Sequence, residues 1–319
     1  MDTGSLGVIQ SLSLSAEVTL ALHNLNSEGT EGNQQQTRMV HVVDAAGQRH
    51  SVNAVSGDMF KHIYVRHLTP ALQALGQPLS SGAAAGRSDR ITVDADFKAA
   101  IKGRGAADVQ REMLERCAVT DIAGTLFTEG ITVPRKSCVE FGWVVGIPEK
   151  VHTEQYFHVK YEPDRRKVSS QAPRGEGTIA GSQTVFHRPA NSGVYALICH
   201  LELARVGVSD VTGEKIIPDE PRALRQRAAI QALLATVMRP AGAQCNTQNP
   251  HILECSGLVT TSTSYLPAPM LSPLSKGYRQ DIASIAETLN RITPAAIETR
   301  PFDNLASAIA SLEQIAAEV

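Results

Sequence analysis

The chain has 319 residues, 42% of them apolar and 19% charged, which supplies enough apolar side chain for a full-sized core and excludes wholesale disorder. The 30 Lys and Arg oppose 32 Asp and Glu for a formal net charge of −2, so the field of a free-standing basic nucleic-acid binder is excluded and any anion site is a local patch. At this length the prior is about two domains, or one domain with large insertions.

From Leu12 the even positions Leu12, Leu14, Ala16, Val18, Leu20 and Leu22 are apolar and the odd ones mostly polar or small, the period-2 pattern of a long strand with one buried face. A polar Gly/Asn-rich loop over 24–33 follows, then a hairpin of 39–43 and 49–55 turning at Ala46-Gly47. Ser56 stands where it can cap a helix, with Met59, Phe60, Ile63 and Leu68 on an inner stripe and Lys61 and Arg66 elsewhere. Strand, loop and helix N-terminus in that order form a ready anion cradle. Residues 79–104 are rich in Ala, Gly, Ser and Arg and read as a weakly ordered insertion before an amphipathic helix over about 107–122.

Residues 139–145 and 193–206 read as further core strands. Between them, about 148–192 reads as an extended β-hairpin with a polar tip through Asp164-Arg165-Arg166-Lys167. A helix over 222–238 ends at Arg239-Pro240, a strand covers 257–263, and an amphipathic helix closes the chain from 303. In order these elements spell βαββαβ, an α+β fold of ferredoxin-like or RRM-like type with two large insertions. The expected divisions are 1–76 and 135–147 as parts of the palm, 77–134 as a helical, finger-like insertion, 148–192 as the hairpin, and 193–319 as the remaining palm with C-terminal helices. The RNP1 aromatic signature is absent, so base stacking on the sheet face is not expected.

Enzyme signatures are weak. Gly103-Arg104-Gly105 lacks the third glycine of a dinucleotide loop, 82–88 lacks the P-loop lysine, and no G-x-S-x-G elbow occurs. His62 and His67 diverge round a helix and cannot share a metal. His158, His187, His200 and Glu202 read as hydrogen-bonded structural residues rather than a scattered catalytic site. The 5 cysteines are odd in number and contain no C-x-x-C pair, which argues against a disulfide framework or compact zinc site. No metal or cofactor is expected. A basic start followed by an apolar segment is missing and no run of about 18 apolar residues occurs, so export and membrane spanning lack support and the cytoplasm is expected. Positive charge gathers on the hairpin at Lys160, Arg165, Arg166, Lys167 and Arg174, with Tyr156, Phe157 and Phe186 near its base. A cationic groove with stackable rings suits single-stranded nucleic acid, and a solvated hairpin whose rings pack on the body is equally compatible.

Several segments together resemble the CRISPR-associated DevR family, the guide-RNA-coating backbone subunits of type I Cascade effectors. They are 24–33 after the first strand, Val55-Ser56-Gly57-Asp58-Met59-Phe60-Lys61-His62, Asp121-Ile122-Ala123-Gly124-Thr125-Leu126, and Arg135-Lys136-Ser137-Cys138-Val139-Glu140-Phe141-Gly142. Glu154-Gln155-Tyr156-Phe157-His158-Val159-Lys160-Tyr161 and Phe186-His187-Arg188-Pro189-Ala190-Asn191-Ser192-Gly193-Val194-Tyr195-Ala196 belong to the same set. The resemblance runs from about residue 5 to 275, and its specificity lies in the sum of the blocks. It implies an RRM-like palm with a β-hairpin thumb, copies of the chain stacked along one CRISPR RNA beside other Cascade subunits, and target DNA read through guide pairing. By motif, Asn26, Asn33, Ser56 and Lys61 would hold guide phosphates, with Arg66 joining the same track. Arg135 and Lys136 would line the groove, and Phe157, His158, Lys160 and Phe186 would contact the displaced nucleotide, beside the basic tip of Arg165, Arg166 and Lys167. Related type III subunits cut RNA with an acidic residue after the first strand. Here that loop offers Glu28 and Glu31 but no Asp, so catalysis is not expected and a metal-dependent RNA-cleaving subunit is the alternative.

Overall fold

The computed structural model describes residues 8–161 and 183–319, with side chains up to 159 and again from 186. In chain order the strands and helices are β1 (Ser11–His23), β2 (Ser27–Glu31), β3 (Gln34–Thr37), β4 (Met39–Val43), β5 (Arg49–Val55) and α1 (Gly57–Ala74). The insertion follows as α2 (Ser81–Ala84), α3 (Ala95–Ile101), α4 (Ala106–Arg116), α5 (Ala118–Ala123), β6 (Thr125–Phe127) and β7 (Val133–Arg135). The chain continues through β8 (Val139–Phe141), β9 (Val144–Tyr161), β10 (Gln183–Leu201) and α6 (Asp219–Met238), then β11 (His251–Ser262), α7 (Tyr278–Ile292), β12 (Ile297–Phe302) and α8 (Leu305–Ala317).

The four palm strands lie in the order β11-β1-β10-β9 and every neighbour is antiparallel. Numbered along the chain this is 4-1-3-2, compatible with the ferredoxin-like expectation. β12 adds beyond β11, and β5 then β4 beyond β9. On one face Val18 and Leu20 of β1 meet Phe60 of α1 and Val237 of α6. Helix α1 buries Phe60, Ile63, Tyr64, Leu68 and Leu72, a three-and-four spacing that puts them on one stripe. Each full burial contributes about 1.5–3 kcal/mol. The Tyr64 hydroxyl donates to the Ala229 carbonyl at 3.0 Å and ties α1 to α6.

Four expectations change. β1 buries both faces in its first half, Ser11, Ser13 and Ser15 included. The chain near Ala268 crosses the second face there: Ala268 N donates to Ser11 Oγ at 3.0 Å and Ser13 Oγ donates to the Ala268 carbonyl at 2.9 Å. The Ala-rich insertion is packed rather than weakly ordered, with Ala83, Ile91, Phe97, Val109 and Met113 buried in the main core and Phe97 edge-on to Phe127 at 5.4 Å. The single helix expected over 107–122 is two, because Cys117 adopts an extended conformation and its thiol caps α5 by accepting from Thr120 N. The polar loop after β1 also holds a hairpin, β2–β3.

β9 and β10 run past the palm as a two-stranded arm paired from Val151↔Gly193 to Tyr161↔Gln183, roughly 35 Å at the usual rise per residue. The tip residues Arg165, Arg166, Lys167 and Arg174, and the side chain of Lys160, lie outside the described residues.

Candidate nucleic-acid interface

The start of α1 is held by the segment that follows β1. Ser56 caps the helix, its Oγ accepting from Met59 N at 3.2 Å. Asn26 Oδ1 in turn accepts from Ser56 N at 3.2 Å and Ser56 Oγ at 3.0 Å. Both side chains are buried, so Asn26 and Ser56 aim the helix rather than offering free groups to a phosphate. A Cβ at Gly57 would lie 2.7 Å from the Phe141 carbonyl; only glycine lets α1 dock this closely against β8. The positive helix end opens on a cleft of about 270 Å³ lined by Gly57, Asp58, Lys61, Ser137, Glu140 and Trp143. Burial first, then the charge of Arg90, hold the Lys61 ammonium below its ordinary range, with Asp58 and Glu140 opposing. Trp143 is exposed, and the Arg38 guanidinium lies 5.2 Å from its ring centre. Arg38 also pairs with Glu28.

A second set of rings lies out along the arm, beyond its start at Val151. His158 stacks on Phe186 at 5.5 Å and 10° between planes, and Arg188 lies 4.8 Å over the same Phe186 ring. On the other face Phe157 meets His187 edge-on at 5.6 Å and remains 61% exposed. The β2–β3 hairpin docks under the arm: the Asn33 carbonyl accepts from His187 N at 2.8 Å, and Gln155 Nε2 donates to the Gln35 carbonyl at 3.2 Å. Asn33 therefore supports the arm through its backbone while its side chain is exposed. Stackable rings, cations and a helix N-terminus are a combination that grips a single-stranded polyanion.

Arg135 does not line a groove. Its side chain is wholly buried, donating from Nη2 to Asp121 Oδ1 at 2.7 Å and from Nη1 to Asp210 Oδ1 at 3.0 Å and the Val208 carbonyl at 2.7 Å. A guanidinium taken out of water needs such partners. Lys136 is exposed and pairs with Glu140 at 2.7 Å. Arg66 lies along α1 in a different cleft from the one at the helix start.

The profile of the family described as CRISPR-associated negative auto-regulator DevR/Csa2 matches residues 14–283. The chain belongs to the DevR/Csa2 family. A chain solved in a "CRISPR RNA-guided surveillance complex, pre-nicking" shares the fold, with a TM-score of 0.53 at 14% identity over 96% of this chain and 99% of that one. A chain of another "CRISPR RNA-guided surveillance complex" gives a TM-score of 0.47 at 15% identity over 96% and 98%. Csc2 of Thermofilum pendens gives 0.39 at 11% identity over 98% and 85%. No curated protein matches.

In this DevR/Csa2 chain, sequence reading missed Arg38 on Trp143 and Arg188 on Phe186. The second was reachable, because residues two apart on a strand share a face; the first joins distant segments. A Ser13–His200–Glu202 relay also forms, with Ser13 Oγ 2.7 Å from His200 Nδ1 and Glu202 Oε2 3.4 Å from Nε2. Ser13 is buried under Ala268, so the relay braces β1 against β10. No helix among the described residues is long and apolar enough to cross a membrane.

Proposed function

We propose that the chain is a non-catalytic backbone subunit of a type I CRISPR Cascade effector. It polymerises along CRISPR RNA beside other Cascade subunits and presents the guide for pairing with target DNA. The observation that carries this reading is Lys61: a half-buried ammonium at the start of α1 that, among the described residues, has no carboxylate within ion-pair distance and lies beside Trp143 in an open cleft. An anion there relieves the cost of holding that cation partly out of water. Family membership and the near whole-chain likeness to the surveillance-complex subunit support it.

Co-expression with CRISPR RNA followed by size exclusion tests the proposal. The expected product is a multimer with a nucleic-acid absorbance ratio that Lys61→Glu diminishes. An RNA-free monomer from the wild type defeats it. Incubating the assembled complex with complementary RNA and Mg²⁺ should leave that RNA whole; periodic cuts lost in Glu31→Gln would favour the cleaving alternative.

A further inference from the structure

The main sheet ends at β12 on one side and β4 on the other, and the chain treats these edges differently. At β12, Thr263 N donates to the Ala296 carbonyl, which puts the ladder to β11 on the even positions. The backbone groups of Ile297, Thr299 and Pro301 therefore face outward. Asn290 of α7 accepts from Ile297 N at 2.8 Å and donates to its carbonyl at 2.9 Å, and Pro301 has no N–H to offer. This edge is blunted at both ends.

At β4, Ala54 N donates to the Arg38 carbonyl and Asp44 N to the Gln48 carbonyl, each at 3.0 Å. These bonds put the ladder to β5 on the even positions, so Met39, His41 and Val43 turn their N–H and C=O groups outward. Among the described residues no loop bonds to them, and Met39 and Val43 are exposed. The strand Met39–Val43 carries no Lys, no Pro and no bulge, the devices that keep an edge from pairing.

An open edge selects an extended backbone, because only that presents N–H and C=O groups at the matching repeat. Beside β4 lies a cleft of about 790 Å³ with apolar walls of Val42, Val43, Pro148, Leu271 and Leu274, able to take alternate side chains of an added strand. Lys276 also lines it and, among the described residues, has no ion-pair partner. Asp44 is already engaged by His50 at 2.9 Å and by the N–H groups of Ala46 and Gln48. The cleft thus complements a carboxylate. A second copy would bring a blunted β12, which does not continue the sheet head to tail.

We propose that β4 is a docking edge for an extended segment of a partner protein, added as a further strand with apolar side chains in the cleft and a carboxylate at Lys276.

The test uses the full chain and a labelled peptide of alternating Val and Thr with Glu at both ends. At about ten times its Kd the peptide should slow amide exchange of Met39, His41 and Val43 about 10-fold, leaving Val40 and Val42 protected with or without it. His41→Pro removes an outward N–H without touching the ladder and should weaken binding about 2- to 13-fold, the loss of one hydrogen bond. His41→Thr keeps that N–H and should bind as wild type. Exchanging both Glu for Gln should cost about 5-fold or less, a difference absent in Lys276→Ala. Urea midpoints check that each variant is folded. No added protection at the three amides, or equal losses in His41→Pro and His41→Thr, overturns the proposal. So does protection that appears without peptide and rises with protein concentration, which would assign the edge to a second copy.

Discussion

Arg135 and Asp121 meet at 2.7 Å with neither side chain reaching solvent. Asp121 Oδ2 accepts from Arg225 Nη1 at 2.9 Å, and both its oxygens accept from Gly207 N at 3.1 and 3.0 Å. One carboxylate thus fastens α5, β7, α6 and the turn after β10. Replacing either partner strands the other charge in the interior. Arg135→Ala and Asp121→Asn are each expected to lower stability by about 3–5 kcal/mol, read by urea denaturation. Any loss of RNA in Arg135→Ala should then scale with the unfolded fraction, which is the signature separating this strut from a contact residue.

The thiols give a second check. Cys117, Cys138, Cys199 and Cys255 are buried and Cys245 is half-buried. Burial pushes Cys138 up to about 12 despite the opposing charge of Arg135, and Cys255 up to about 11. Only a thiolate attacks a disulfide reagent. The native chain at pH 8 is expected to release no more than one fast equivalent with a chromogenic disulfide, lost in Cys245→Ser, and all 5 thiols after denaturation.

His23 links stability to pH. Burial lowers its imidazole to about 4 from the ordinary 6.5, and the ring sits edge-on to Tyr195 at 5.0 Å with a buried, unpartnered Nε2. The folded pKa is depressed, so between pH 6.5 and 4 the unfolded chain binds a proton that the folded chain refuses. Stability therefore falls with falling pH across that window, by about 1.4 kcal/mol per unit. Urea midpoints at pH 7 and pH 5 should show a loss of about 2 kcal/mol attributable to this group, absent in His23→Phe.

The elements that the sequence made legible are those whose local period matches their burial. α1 carries apolar side chains at helix spacing because one stripe of it packs on the sheet and α6, and β1 keeps its strand period although its first half is covered on both faces. β2 was not legible: Ser27–Glu31 has no apolar alternation and becomes a strand by pairing with β3, which docks on the arm. Arg135 was misread for a similar reason. Beside Lys136 it looks like a basic patch, while the groups that bury it stand 14 residues away at Asp121 and 75 away at Asp210. The motif around Ser56 pointed to the right place with the wrong division of labour, since the cap and Asn26 bond each other and Lys61 faces the cleft.

Lys61 and Phe157 should fail differently. Lys61 acts through charge, so Lys61→Ala is expected to reduce the salt slope of RNA binding by about 0.7 and the affinity about 5-fold near 0.1 M salt. Phe157 is exposed on the arm and carries no charge; stacking one base on it contributes about 1–3 kcal/mol. Phe157→Ala should therefore weaken binding by a factor between about 5 and 150 with the slope unchanged, and Phe157→Tyr should restore it. Fluorescence anisotropy over a salt series measures both quantities at once. A slope change in Phe157→Ala, or none in Lys61→Ala, would mean that the strand crosses this interface in a register other than the one that brings its phosphates to α1 and its bases to the arm.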